Sequence, residues 1–102
     1  MDIKIYEDRI EAKLSGEIDI VNSDDFKKEV IAIYDEVQKD IVFDCTALSF
    51  LDSTALGVLV AINNHMIKEG HSISLHSLKS RIFKLFTITG LDKVIRVTEA
   101  AV

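Results

Sequence analysis

The chain alternates short apolar segments with longer segments in which apolar residues recur at helical spacing, and this alternation limits the possible folds more than any other feature. Apolar and polar residues also alternate on both sides of the polar turn at residues 7–9, which predicts a β-hairpin. Strands are predicted at residues 3–5, 10–14, 41–43, 73–75 and 94–97, and helices at about 23–38, at about 53–69 and between Ser77 and Gly90. The order β-β-α-β-α-β-α-β implies right-handed crossovers and an α/β fold. Its sheet is mixed but mostly parallel, with the first hairpin strand antiparallel at one side.

Particular residue types define some of these segments more closely. The run Ile41–Phe43 is continuously apolar, which is typical of a strand covered on both faces. Ser77 is suited to cap the third helix, Gly90 to end it, and Gly70 to end the second helix. The segment at residues 16–19 interrupts the alternation after the hairpin and is predicted to be a turn.

The composition favours one packed domain over residues 1–102 and narrows the choice of partners. Hydrophobic residues make up 48% of the chain, which is enough for a core. The net charge of −5, without a basic block, disfavours nucleic acid and anionic membranes and suits a basic protein partner. No segment approaches the ~20 apolar residues of a membrane helix, and the first residues lack an apolar signal core. Cys45 is the only cysteine, which fits a reducing cytosol, and it is expected to be a small buried hydrophobe.

Function in an open α/β sheet gathers in the loops that follow the carboxyl ends of the strands. These loops are predicted at residues 16–22, 45–53 and 76–79. The middle loop leads into the second helix, whose first N–H groups lack internal partners and whose dipole favours negative charge. Ser53 and Thr54 lie in that first turn. Two interpretations stay open: Asp52 or Ser53 is only the N-cap of the helix, or the exposed hydroxyl accepts a phosphoryl group.

Other chemistries find less support in the sequence. His65 lies 12 residues beyond Ser53 on the same predicted helix. At ~1.5 Å per residue it is about 18 Å away and cannot act as its base. The chain has neither zinc-ligand spacing nor a Gly-rich phosphate loop. Several acidic residues are predicted at the same edge of the sheet: Glu17, Asp19 and Asp44 or Asp52. They could simply be solvated loop residues, or they could form a magnesium pocket like that of a receiver domain. A receiver domain needs an acid pair directly after its first strand and has no N-terminal hairpin, so this alternative fits poorly.

Three segments together carry a resemblance to a known family. They are GEID at residues 16–19, LSFLDSTALG at residues 48–57, and LF at 85–86 with TGL at 89–91. In these motifs, and over essentially its whole length, the chain resembles the STAS domain of bacterial anti-sigma factor antagonists. The resemblance implies a STAS-like sheet with β-α superhelical crossovers. Ala55 stands where the family often has Gly, but this departure does not touch the hydroxyl residues.

The resemblance also implies a function. Unmodified antagonists of this family bind an anti-sigma factor, which is also a serine kinase, and thereby release the sigma factor. The kinase phosphorylates the hydroxyl residue after the motif's Asp, which here is Ser53, with Thr54 as the second choice. A serine phosphatase restores the unmodified form. The alternative is an adaptor STAS domain that works unphosphorylated in a signalling or transport complex.

The resemblance and the sheet-edge argument together predict a partner-binding surface. It combines the 16–22 turn, the 50–54 turn and the exposed face of the second helix. Its expected members are Glu17, Asp19, Asn22, Leu51, Asp52, Ser53, Thr54 and Leu56. Asp19 is expected to make a direct polar contact with a basic partner. The protein is predicted to be a cytoplasmic regulator without catalytic residues, cofactor or metal.

Overall fold

A computed structural model describes residues 1–101 as five strands, three α-helices and one short 3₁₀ turn. The strands are β1 (Asp2–Ile5), β2 (Arg9–Ile18), β3 (Asp40–Leu51), β4 (Ile73–Leu78) and β5 (Arg96–Glu99). The helices are α1 (Ser23–Val37), α2 (Ser53–Ile67) and α3 (Ser80–Thr89), and the 3₁₀ turn is Leu91–Lys93. The predicted order of elements is confirmed.

The five strands form one sheet in the order β1-β2-β3-β4-β5. β1 and β2 pair antiparallel, and all other neighbours pair parallel. The predicted mixed, mostly parallel sheet is therefore confirmed. Each crossover connects adjacent strands and moves in the same direction across the sheet. Right-handed connections of this kind place every helix on the same face, which gives the predicted β-α superhelix.

The core lies between that face and the helices. Buried strand residues are in register across the sheet, with Ile10, Ile41 and Ile73 in one row and Ala12, Phe43 and Leu75 in the next. The opposite face is largely polar and partly solvent-accessible, and it carries Glu11, Lys13, Val42, Asp44, Ser74 and His76. The prediction that residues 41–43 are covered on both faces is therefore wrong. Val42 is only half-buried, because all three helices lie on the other face.

β2 and β3 continue much further than predicted. β2 runs through the expected turn at residues 16–19 as far as Ile18, and β3 runs to Leu51. The β2–β3 pairing shifts register between Lys13 and Ser15 and again at Gly16. Along β3, burial then recurs at every third residue, at Cys45, Leu48 and Leu51. This spacing hides the strand from a test for simple alternation.

Cys45 is a buried structural residue, as predicted. Its side chain lies wholly within the core, and this burial raises the pKa of the thiol to about 12. A thiol with such a pKa stays protonated at neutral pH and is a poor nucleophile. The only cysteine therefore contributes packing to the centre of the irregular part of β3.

The predicted boundaries of the last elements are displaced. Ser77 does not cap α3, since it belongs to β4 with a left-handed φ of 63° and donates its N–H to Thr98 Oγ1. α3 begins at Ser80 after Lys79, whose side chain makes no capping bond. Gly90 ends α3 in the left-handed conformation, as predicted. The 3₁₀ turn after Gly90 moves β5 two residues beyond its predicted start.

Candidate functional site

The Asp52 carboxylate joins two turns at the carboxyl edge of the sheet. Its Oδ1 accepts a hydrogen bond of 2.8 Å from the Ala55 N–H, which makes Asp52 the N-cap of α2. Its Oδ2 accepts one of 2.8 Å from the Ile20 N–H. The Asp52 N–H also donates to the Ile18 carbonyl at 3.4 Å. One side chain therefore fixes the start of α2 against the turn between β2 and α1.

The turn between β2 and α1 is held by its own polar side chains. Asp19 Oδ1 accepts from the N–H groups of Val21 and Asn22, at 2.9 and 3.2 Å. Asn22 Oδ1 accepts from the Asp19 N–H at 3.0 Å, and Asn22 Nδ2 donates to the Glu17 carbonyl at 2.9 Å. Asp19 and Asn22, which were predicted to contact a partner, thus also hold the turn in shape by hydrogen bonds within the chain. Glu17 has an exposed side chain.

Ser53 and Thr54 are the first two residues of α2, and both are exposed. Within residues 1–101 the Ser53 hydroxyl makes no side-chain hydrogen bond, and the Ser53 and Thr54 N–H groups donate none. No acid lies in the first turn of α2 itself. Free N–H groups at a helix start stabilise an added anion. The site thus offers both an accessible hydroxyl and a suitable environment for a phosphate.

Two residues of the predicted partner surface are not at the surface. Leu51 and Leu56 are buried members of the hydrophobic core. Leu51 ends β3 in contact with the core, and Leu56 lies on the inner side of α2. They support the neighbouring Asp52 from within and cannot contact a partner directly in this conformation.

Three exposed apolar side chains lie in the two segments that carry the site, and the sequence prediction did not name them as individual contacts. Val21 is 86% exposed, Ile20 71% and Phe50 44%. We call the set of Ile20, Val21, Phe50, Ser53 and Thr54 the Ser53 surface. The Asp52–Ile20 hydrogen bond and the pairing of Ile18 with Leu51 bring its two segments together. Contiguous exposed apolar patches rimmed by polar residues mark interaction sites, so these three side chains make the Ser53 surface a candidate for one. The signal in the sequence that could have identified them is the apolar pair Ile20 and Val21 inside an otherwise polar turn.

The acids do not form the cluster that the receiver-like alternative requires. Both Asp52 oxygens accept backbone N–H groups, as described above. Asp44 accepts from the Thr46 N–H and hydroxyl, at 3.0 and 2.7 Å, and these bonds lower the pKa of the Asp44 carboxyl. Within residues 1–101, no three His, Cys, Asp or Glu side chains group in a way that could hold a metal.

The histidines have partners elsewhere in the molecule. His65 Nε2 lies 2.7 Å from Asp35 Oδ1. His71 Nδ1 lies 2.8 Å from the buried Tyr34 hydroxyl, and His76 Nε2 lies 3.0 Å from Ser74 Oγ. None of these contacts involves Ser53. The geometry therefore gives no Ser–His pair at the candidate site.

Comparison with known proteins gives the family. The STAS domain model matches residues 1–101. An anti-sigma-B factor antagonist of Bacillus subtilis is 31% identical over 96% of this chain and 89% of its own length. The chain belongs to the STAS domain family. None of the helices in residues 1–101 is long and apolar enough to cross a membrane.

Solved structures share the fold over nearly the whole chain. A crystal structure of a Thermotoga maritima protein has a TM-score of 0.85 at 26% identity, covering 94% of this chain and 83% of that one. SpoIIAA, an anti-sigma factor antagonist in its unphosphorylated form, has a TM-score of 0.73 at 17% identity, covering 98% and 88%. The phosphorylated form of SpoIIAA has a TM-score of 0.72 at 18% identity, covering 95% and 89%.

The double role of Asp52 makes it a stabilising residue of the site. Asp52→Ala is expected to lower the free energy of unfolding by about 1–2 kcal/mol, because α2 loses its cap and the Ile20 N–H loses its acceptor. Ser53→Ala is the matched control and should change it by less than about 0.5 kcal/mol. Urea unfolding followed by circular dichroism measures both. Equal stability of the two variants would contradict the role assigned to Asp52.

Proposed function

We propose that this protein is a cytoplasmic anti-sigma factor antagonist that is switched off by phosphorylation of Ser53. The unmodified Ser53 surface binds an anti-sigma factor, and this binding releases a sigma factor. The anti-sigma factor is itself the serine kinase, and a serine phosphatase reverses the modification. The observation that carries the proposal is an exposed serine at the open start of a helix, bordered by exposed apolar side chains. In this role the protein is a regulatory binding partner and not an enzyme.

The relatives support the binding role. The Bacillus subtilis relative is named for antagonism of an anti-sigma factor, and its similarity extends across almost the whole of both chains. SpoIIAA exists in unphosphorylated and phosphorylated forms, so a protein of this fold carries the modification. The motif that resembles the family's phosphorylation segment contains both Ser53 and its cap Asp52.

Ser53 is the better acceptor of the two adjacent hydroxyl residues. Both side chains are exposed, so access alone does not separate them. Thr54 is β-branched, which restricts its χ1 angle. Ser53 is one residue closer to the open end of α2, and its side chain is not β-branched. A kinase can therefore approach Ser53 with less rearrangement.

Phosphorylation would change the binding surface mainly by charge. It adds about −1.5 to −2 charges beside the Asp52 carboxylate. No Lys or Arg occurs within residues 16–22 or 50–57 to neutralise them. The start of α2 stabilises the added anion by only ~0.3–1 kcal/mol, so the fold should survive. A partner packed on Ile20, Val21 and Phe50 would have to bury this charge without a matched cation, at a cost of several kcal/mol.

The switch predicts a defined order of affinities for the cognate anti-sigma factor. The phosphoprotein should bind at least about 100-fold more weakly than the unmodified protein, which corresponds to ~2.7 kcal/mol. Ser53→Ala should bind almost normally and resist inactivation by kinase and ATP. Ser53→Asp should be intermediate, because one carboxylate has less charge and bulk than a phosphate. Calorimetric titration of the four forms, with peptide mapping of the phosphate, measures this.

Two outcomes would contradict the switch. One is a phosphate mapped mainly to Thr54 or to another segment of the chain. The other is equal affinity of the unmodified, phosphorylated and Ser53→Asp forms for the partner. Circular dichroism of the phosphoprotein is the control for folding, since the proposal requires a local block and not a global rearrangement.

The apolar part of the Ser53 surface should provide much of the binding energy. Ile20→Ser and Val21→Ser are each expected to weaken partner binding by about tenfold, because burial of an exposed Ile or Val side chain in the interface contributes about 1.5 kcal/mol or more. Ile88→Ser is the matched control, because Ile88 is 80% exposed on α3 outside the Ser53 surface. All three variants should keep their stability within about 0.5 kcal/mol. An equal loss of affinity in all three variants would contradict a specific contact of Ile20 and Val21 with the partner.

A further inference from the structure

The outer edge of β1 carries unpaired backbone groups. The Tyr6 N–H donates to the Arg9 carbonyl at 2.8 Å and closes the hairpin. Hydrogen-bonded pairs alternate along an antiparallel ladder, so Lys4 with Glu11 and Asp2 with Lys13 are the next bonded pairs. The N–H and C=O groups of Ile3 and Ile5 therefore point away from β2. Within residues 1–101, β1 is an edge strand with a neighbour on one side only.

Apolar and charged side chains of β1 lie on opposite faces of the sheet. Ile3 is paired with the buried Ala12 and Ile5 with the buried Ile10, so Met1, Ile3 and Ile5 lie on the helix side of the sheet. Ile5 is 55% exposed and Met1 is also exposed. Asp2 and Lys4 lie on the open polar face. An edge with free backbone groups and exposed apolar side chains is a template for another strand.

We propose that β1 pairs antiparallel with β1 of a second copy of this chain, centred on Ile3. In this register Ile3 is opposite Ile3 of the second copy, and their outward N–H and C=O groups bond to each other. Met1 is opposite Ile5 on the helix side, so apolar residues meet apolar residues. Asp2 is opposite Lys4 on the open face, twice by symmetry, so opposite charges meet.

Neighbouring registers lack this complementarity. In the two nearest registers that still pair the outward N–H and C=O groups, the centre of the β1–β1 pair lies one residue before or after Ile3. Centring on Asp2 places Asp2 opposite Asp2, and centring on Lys4 places Lys4 opposite Lys4. Like charges directly opposite are destabilising. In registers offset by an odd number of residues from the Ile3-centred one, apolar side chains of one copy lie opposite charged side chains of the other, and the helix face of one copy meets the open face of the other. The sequence of this edge is therefore self-complementary in one register, which favours a second copy of this chain as its occupant.

The resulting dimer would have a ten-stranded continuous sheet with a two-fold axis through the β1 pair. Antiparallel pairing reverses the direction of the parallel strands in the second copy. The two Ser53 surfaces would then lie at opposite ends of the dimer, and each would stay accessible. This inference does not depend on the proposed function.

Sedimentation equilibrium of the protein from ~10 μM to ~1 mM tests the pairing, because an interface from one four-residue strand is small. The wild type should form dimers in this range. Asp2→Lys and Lys4→Asp alone should each weaken dimerisation by about tenfold or more, because each makes both cross-copy pairs like-charged. An equimolar mixture of these two variants should dimerise again, since both cross-copy pairs then become attractive.

Ile3→Pro gives a second test that does not depend on charge. It removes an N–H that points away from β2, a position at which an edge strand tolerates proline. The variant should keep the wild-type circular dichroism spectrum and remain monomeric. A wild type that is monomeric up to ~1 mM would overturn the proposal. A dimer that is unaffected by Ile3→Pro, or a mixture of charge variants that associates no better than either alone, would also overturn it.

Discussion

The Asp52 carboxylate is the interaction on which the Ser53 surface depends, because it accepts backbone N–H groups from two segments far apart in the chain. Its bond to Ala55 starts α2, and its bond to Ile20 brings an apolar turn beside the first residue of that helix. This second bond acts together with the Ile18–Leu51 pairing to set the position of Ile20 and Val21 relative to Ser53. One side chain therefore both caps α2 and helps to form the Ser53 surface, so a capping Asp52 and a free Ser53 hydroxyl are compatible.

The one-sided architecture explains why the site lies where it does. Sequential right-handed crossovers place all helices on one face, and parallel pairing brings the carboxyl ends of β2, β3, β4 and β5 to the same edge. β2 and β3 are long and pair as far as Ile18 and Leu51, which brings the turns after them together. Leu51 and Leu56 anchor that edge in the core. The opposite face of the sheet stays open and polar.

Local patterns were sufficient to predict the order of the elements, the parallel sheet, the position of Ser53 and the burial of Cys45. They failed where tertiary pairing overrides local signals. The end of β3 was missed because a register shift gives it a three-residue burial period. Ser77 has a good cap residue type, but it is held in β4 by its bond to Thr98. Burial of Leu51 and Leu56 depends on packing between distant segments, which the motif alone does not reveal.

The most direct test of this account is the hydrogen-exchange rate of the Ile20 amide, measured by NMR in the wild type and in Asp52→Ala. The Ile20 amide should be protected in the wild type and should lose this protection in the variant. The Val21 amide should stay protected in both, because its acceptor is Asp19 Oδ1. An Ile20 amide that exchanges as in an unstructured peptide, or that is unchanged by Asp52→Ala, would contradict the central role of Asp52.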